Sequence, residues 1–237
     1  MKGPASTATT SALDAARESL AAVDLSWLQP EAERHSWTLA DDTLRFLTGV
    51  VAHLRPARVV EFGSGLSTRV LAAAAAASTK PGASATVVAL ENDPLFARRT
   101  TAALAADGAL GRARVELTHL VVRRWYGRNV PVYDLPKTVG EAPAPQLVLV
   151  DGPPLPLGGR AGSLLQAVHL AEAGSLVLLD DADRPSEQAA LAMAQKVFGS
   201  CIEISVLDGF AKGLAAVVVH RAVGGSALPP TFPGGSP

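Results

Sequence analysis

Four short apolar runs in this chain end in acids: Glu61, Glu91, Asp151 and the pair Asp180-Asp181. A carboxylate can hold a cation, accept hydroxyl hydrogen bonds or take up a proton. One acid after a strand is commonplace, because acids also cap helices. Four at the ends of parallel strands converge on one edge of a sheet, and the joint pattern marks a site. The best-defined of them lies in Val59-Val60-Glu61-Phe62-Gly63-Ser64-Gly65-Leu66-Ser67-Thr68. There a strand runs into a Gly-x-Gly turn and then an alanine-rich helix, and such a turn lets backbone approach a ligand at the carboxyl end of the strand. The dinucleotide pattern wants a third glycine three residues on, but that position is Thr68. Glu61 would repel a pyrophosphate and suits a cationic group, such as the amino group of an amino acid. Glu91, at the end of the next strand, can accept both ribose hydroxyls of an adenosine.

These acids need a scaffold that brings the strand ends together. The chain has 237 residues, 48% hydrophobic and 18% charged, enough for one α/β domain with a substantial core. The formal net charge of -1 implies no nucleic-acid partner. No run is long and apolar enough to span a bilayer, and the N-terminal residues lack a signal-peptide core, so no membrane association and a cytoplasmic location are expected. The lone Cys201 excludes an internal disulfide and reads as a buried, inert thiol.

Residues 1–12 read as a disordered tail, 13–56 as a helical cap segment, 57–223 as the main domain and 224–237 as a second disordered tail. In the cap segment, Ala15 to Leu28 and Thr38 to Leu54 have helical spacing, the second through Leu44, Leu47, Val51 and Leu54. His35 and Trp37, between them, form either a packing corner or part of a site wall. From residue 57 strands and helices alternate, which predicts a doubly wound, mostly parallel sheet of seven strands. The expected strands are Arg58–Phe62, Ala85–Leu90, Val115–Leu120, Gln146–Val150, Ser175–Leu179, Ile202–Leu207 and Leu214–His220. The last two, joined through Gly209 and Gly213, read as a C-terminal antiparallel hairpin. His119 falls at or just past the end of the third strand. Residues 121–145 are long for a connection. They hold Trp125, Tyr126 and Tyr133, which either cover the ligand edge or anchor the segment to the domain. Arg160 and Lys212 read as solvated.

Glu-Phe-Gly-Ser-Gly at 61–65, the acid at Glu91, Val-Asp-Gly-Pro-Pro at 150–154 and the end hairpin together resemble the class I S-adenosylmethionine-dependent methyltransferases, over residues 57–220. That resemblance implies a Rossmann-like fold and an enzyme that methylates a small-molecule hydroxyl. It places S-adenosylmethionine against Glu61, Gly63, Ser64, Gly65, Ser67, Thr68, Glu91, Asn92, His119 and Asp151. Within the class, the aspartates resemble the metal site of catechol O-methyltransferase-like enzymes, with Asp181 where that group has asparagine. This implies Mg²⁺ or another divalent cation on Asp151, Asp180 and Asp181, lowering the pKa of an acceptor hydroxyl. The lysine base of that group is absent; Gly152-Pro153-Pro154-Leu155 stands in its place. Without a metal, Asp151 or His35 becomes the general base. Metal-free methylation, methylation at nitrogen and a domain that only binds the cofactor are the alternatives left open. So is a homodimer.

Overall fold

The computed structural model describes residues 4–28, 38–78, 86–140 and 142–223. Its main sheet is built from β1 (Arg58–Phe62), β2 (Thr86–Glu91), β3 (Ala113–Leu117), β6 (Leu147–Val150), β7 (Leu176–Asp180), β8 (Ile202–Leu207) and β9 (Leu214–Val219), in the order β3-β2-β1-β6-β7-β9-β8. The first five strands pair in parallel, and β9 runs antiparallel to both β7 and β8. This is the doubly wound, seven-stranded sheet expected from the sequence. The chain leaves β1 toward β2 on one side and returns to β6 on the other. The crevice at this reversal, outside the carboxyl ends of β1 and β6, is where an open α/β sheet binds ligands.

Both faces of the sheet are covered, so the central strands β1, β6 and β7 are buried along their whole length. Side chains alternate between two cores, as the two-residue strand period requires. Val59, Leu147, Leu149, Leu176 and Leu178 pack under α2 (Asp41–Leu54) and α3 (Leu66–Ser78). Val60, Phe62, Val148, Val150, Val177 and Leu179 face α6 (Ala161–Leu170) and α7 (Pro185–Phe198). Asp93 caps α4 (Pro94–Ala106), accepting from the backbone N–H groups of Leu95 and Phe96, with Pro94 at the first helical position.

Three expectations change. Residues 4–12 are not a disordered tail: α1 spans Pro4–Glu18, and Thr9, Ala12, Leu13 and Ala16 are buried on one face. Their spacing is helical, but the residues are small or polar, so the stripe carries little hydropathy. Smallness is what the packing uses: a Cβ on Gly49 of α2 would stand 3.0 Å from the Ala16 Cα. The helix read as extending to Leu28 stops at Glu18, followed by a 3-10 turn at Leu20–Ala22. Residues 121–145, long for a connection, carry structure of their own. They hold a hairpin of β4 (Leu120–Trp125) and β5 (Arg128–Tyr133) and the short α5 (Lys137–Gly140). Cys201 is half-buried rather than buried, in the turn before β8. Among the described residues no helix is long and apolar enough to cross a membrane.

Candidate functional site

The carboxyl ends of β1, β2, β6 and β7 bring Glu61, Glu91, Asp151 and Asp180-Asp181 to one edge. Two adjoining cavities open there, of about 540 and 450 Å³, sharing Ser64, Phe96 and Asp151. Such volumes are those of small-molecule sites. Gly65, Ser67, Arg69 and Thr100 line the first; Gly63, Glu91, Asn92, Tyr133, Arg160 and Arg184 line the second.

The glycine turn fits a close ligand. Gly63 (φ +104°) and Gly65 (φ +148°) hold backbone conformations that side chains disfavour. A Cβ on Gly63 would lie 3.4 Å from the Gly152 nitrogen, so the turn after β1 and the Asp-Gly-Pro-Pro turn after β6 pack backbone to backbone. Around Gly65 nothing lies within 4 Å of the Cβ position, which leaves open space.

Glu91 is 6% exposed and held from three directions. Its Oε2 accepts from Ser64 Oγ (2.7 Å), and its Oε1 from the backbone N–H groups of Asn92 (2.8 Å) and Asp93 (2.9 Å). Burial raises its pKa despite those donors. Glu61 sits deeper than the sequence reading placed it. It is fully buried and lines neither cavity; its oxygens accept from the hydroxyls of Ser67 and Thr68 (2.6 Å from Thr68). Thr68 Oγ1 in turn accepts from the Gly65 N–H at 3.0 Å. Glu61 therefore acts on the cleft through its charge and through the first turn of α3, not as a wall. Burial pushes its carboxyl up to about 7, against the two hydroxyl hydrogen bonds.

The three aspartates come together, with one potential ligand atom of each within 4.8 Å of the others. Arg160, however, is not solvated. It is 6% exposed, and its guanidinium lies among them. Nη2 donates to Asp151 Oδ1, and Nη1 donates both to Asp181 Oδ2 and to the Asp180 carbonyl, each at 2.7 Å. The half-exposed Arg184 donates to the same Asp181 Oδ2, also at 2.7 Å. Asp181 takes φ +57°, a left-handed conformation that Asp and Asn both tolerate, which explains either residue at this position. Burial, then the Asp181 charge, raises Asp180 to about 6. Burial raises Asp151 well above the carboxylate range, against the pull of Arg160. A divalent ion does not fit beside this guanidinium. Arginine already holds one oxygen each of Asp151 and Asp181, so a divalent ion would meet the guanidinium charge at the same carboxylates while needing six oxygen ligands, and among the oxygens of the cluster only Asp180 Oδ1 is buried without a protein donor. Lys212 is not simply solvated either; its Nζ donates to the Thr38 carbonyl at 2.7 Å.

His119 stays outside. β3 ends at Leu117, opposite Glu91, so His119 lies beyond the strand, exposed and lining neither cavity. His35 falls outside the described residues. Tyr133, one of the aromatics that the sequence offered as a cover for the ligand edge, does line the cleft. It is 1% exposed, packs tilted at 60° against Phe62 with a centroid distance of 5.5 Å, and points its hydroxyl to Asn92 Oδ1 at 3.3 Å. Gln166 of α6 fixes its backbone through two hydrogen bonds. Burial raises its phenol well above the usual range. Of the aromatics in this stretch, Tyr133 covers the cleft, whereas Trp125 and Tyr126 anchor the hairpin on His169 and Phe198, with the Tyr126 hydroxyl 2.7 Å from His169 Nε2.

Comparison with solved structures gives this fold its likeness. The chain superposes on an O-methyltransferase from Bacillus cereus in complex with S-adenosylhomocysteine (TM-score 0.59, 14% identity, covering 88% of this chain and 90% of that one). It also superposes on the S-adenosylhomocysteine-bound methyltransferase PaMTH1 of Podospora anserina (0.57, 16% identity, 88% and 87%). A third match is TomG of Streptomyces achromogenes, an O-methyltransferase involved in tomaymycin synthesis, in complex with S-adenosylmethionine (0.56, 16% identity, 92% and 91%). The chain has the Rossmann-like fold of these methyltransferases over most of its length. No protein-family model matches it, and no curated protein does.

Proposed function

We propose that this protein is an S-adenosylmethionine-dependent methyltransferase acting on the hydroxyl of a small molecule. The observation that carries the reading is one cleft at the sheet's reversal point, lined by the glycine turn, Ser64, Glu91 and Asp151. Its acids suit a ligand with a cationic end and a ribose: Glu61 supplies buried negative charge behind the turn, and Glu91 offers acceptors for hydroxyls. When bound, the cofactor supplies a methyl group made electrophilic by a sulfonium.

In this reading Asp151 is the general base. It lines both cavities, and Arg160 holds its Oδ1, which leaves Oδ2 to take the acceptor's proton. Proton removal by Asp151 would leave an oxygen nucleophile, to which the bound cofactor would supply its methyl group, the S–C electron pair staying with sulfur. Tyr133 and Phe96 wall the cleft, and exposed Leu155 and Leu157 give its rim an apolar character suited to an acceptor with a hydrophobic body. The alignment of acceptor and methyl group, rather than any covalent enzyme intermediate, supplies much of the rate.

Calorimetry with S-adenosylhomocysteine and with NAD tests the reading, followed by a panel of hydroxylated and aminated acceptors. Binding of S-adenosylhomocysteine and transfer to a hydroxyl support it. Binding of NAD without S-adenosylhomocysteine would overturn it, and transfer to amines alone would move it to nitrogen.

A further inference from the structure

We infer that the Arg160 guanidinium is the resident cation of the Asp151–Asp180–Asp181 cluster, taking the place of a divalent metal and holding Asp151 in position. The inference rests on the methyltransferase reading for the reaction it serves, while the occupancy of the cluster can be measured without it.

Four observations place this arginine. First, it is reached by design of the local backbone. Gly158 and Gly159, at φ +108° and +72°, turn the chain sharply before Arg160, which is the N-cap residue of α6. Second, α6 starts unusually close to β5. A Cβ on Gly162 would lie 1.9 Å from the Pro131 carbonyl oxygen, and one on Gly158 would lie 2.2 Å from Pro131 Cγ. The three glycines thus let the start of α6 settle against the hairpin, which leaves the Arg160 side chain aimed at the cluster. Third, the guanidinium spans it: its two terminal nitrogens reach a carboxylate after β6, a carboxylate after β7 and the main chain of Asp180. A flat, forked cation that is always charged suits this bridging role better than lysine would. Fourth, Arg184 adds a second guanidinium on Asp181, so two protein cations already face the three acids.

A buried carboxylate cluster needs its charge offset. A bound metal is one solution; an arginine carried on the chain is another, and the two compete because a metal ion would stand against the like charge of a guanidinium that already holds one oxygen each of Asp151 and Asp181. In this chain the glycine-rich run 158–162, which bears no phosphate-loop pattern, has the building of that internal cation as its structural consequence. Arg160 is a positioning residue: it acts through Asp151, keeping one oxygen engaged so that the carboxylate presents the other in a fixed direction.

The test is a Mn²⁺ titration followed by electron paramagnetic resonance on the full chain, with and without S-adenosylhomocysteine. The wild type is expected to bind no Mn²⁺ at the cluster, and any methyl transfer to be indifferent to EDTA and to added Mg²⁺. Arg160→Met, which frees the carboxylates, is expected to gain one Mn²⁺ per chain, abolished again by a further Asp181→Asn. Arg160→Lys is expected to keep metal out but to lower kcat at least tenfold, with the acid limb of its pH profile displaced and KM for the cofactor unchanged. Stoichiometric Mn²⁺ on the wild type that Asp181→Asn removes would overturn the inference, as would activity lost in EDTA and restored by Mg²⁺. A folded Arg160→Met protein that still takes no Mn²⁺ would overturn it too. If Arg160→Met does not fold, the wild-type titration decides alone. A wild type that binds neither S-adenosylhomocysteine nor Mn²⁺ supports the inference and removes the proposed function.

Discussion

Glu61→Gln separates the requirements of stability from those of the site. Glu61 is fully buried, and its carboxyl is raised from 4.5 to about 7, chiefly because burial penalises the ionised form. A group whose folded pKa lies above its unfolded value contributes stability that is complete below the unfolded pKa and is lost as pH rises through the folded one. The window here runs from 4.5 to about 7. At about 1.36 kcal/mol per pH unit, the wild type gives up roughly 2–3 kcal/mol of stability between about pH 5 and pH 8 on account of this one residue. Glutamine has nearly the same shape and cannot ionise. Its amide offers an acceptor to Thr68 and a donor to Ser67, whose hydroxyl can turn to receive it. The Glu61→Gln protein should therefore be more stable than the wild type at about pH 8, and the difference should shrink by about 2–3 kcal/mol toward pH 5. Asp180, on which the Glu61 charge does not act, titrates in both proteins and cancels. Urea melts of both proteins at the two pH values measure the difference. A difference that does not change with pH would refute the argument that buried charge at Glu61 is held at the expense of stability. The same substitution should weaken S-adenosylhomocysteine binding at least tenfold, about 1.4 kcal/mol; the two results together would mark Glu61 as retained for binding.

Other expectations follow from the same geometry. S-adenosylhomocysteine, which carries an ammonium, should drive Glu61 toward its ionised form, so binding at about pH 6 should release protons, seen as a dependence of calorimetric heat on buffer ionisation enthalpy. Glu91→Ala removes the acceptor of Ser64 and of two backbone N–H groups and should weaken S-adenosylhomocysteine binding at least tenfold by calorimetry, about 1.4 kcal/mol. Gly162→Ala should cost about 3 kcal/mol or more in urea melts, because the new Cβ meets a backbone carbonyl that has no side-chain freedom with which to yield. Deleting residues 1–18 strips Leu13 and Ala16 from the core and the hydrogen bond from Thr9 to the Gly174 carbonyl; a lowered melting temperature and a loss of about 3 kcal/mol or more are expected. A truncated protein as stable as the full chain would restore the reading of this segment as a tail.

The strands and their acids were legible because their signals are local. Arg58–Phe62 is apolar, ends at Glu61-Phe62 and meets glycines that only a tight turn needs; no distant residue changes that reading. The same holds for the Asp93–Pro94 helix start and for the hairpin between Leu207 and Leu214. Helix α1 was missed because Thr9, Ala12 and Ala16 carry helical spacing without much hydropathy, and what selects them is the closeness of Gly49. β3 was read three residues too far because Leu117 to Leu120 continues an apolar pattern across a break. There Thr118 donates its N–H to Glu91 and its hydroxyl to Asp134, and the next strand begins in a second sheet. That break is what sends His119 to the surface.

The sequence alone determines that four strands end in acids at the carboxyl edge of a doubly wound sheet, since strand period, turn glycines and helix caps are properties of neighbouring residues. Thr68, where the dinucleotide pattern has its third glycine, also sets the turn apart from that pattern. Which cation those acids face is decided by the folded chain. Arg160 and Asp151 are nine residues apart in the sequence, and Asp181 is twenty-one beyond Arg160. Their meeting depends on how closely α6 approaches Pro131, a contact between side-chain-free glycines and a distant hairpin that no local pattern records.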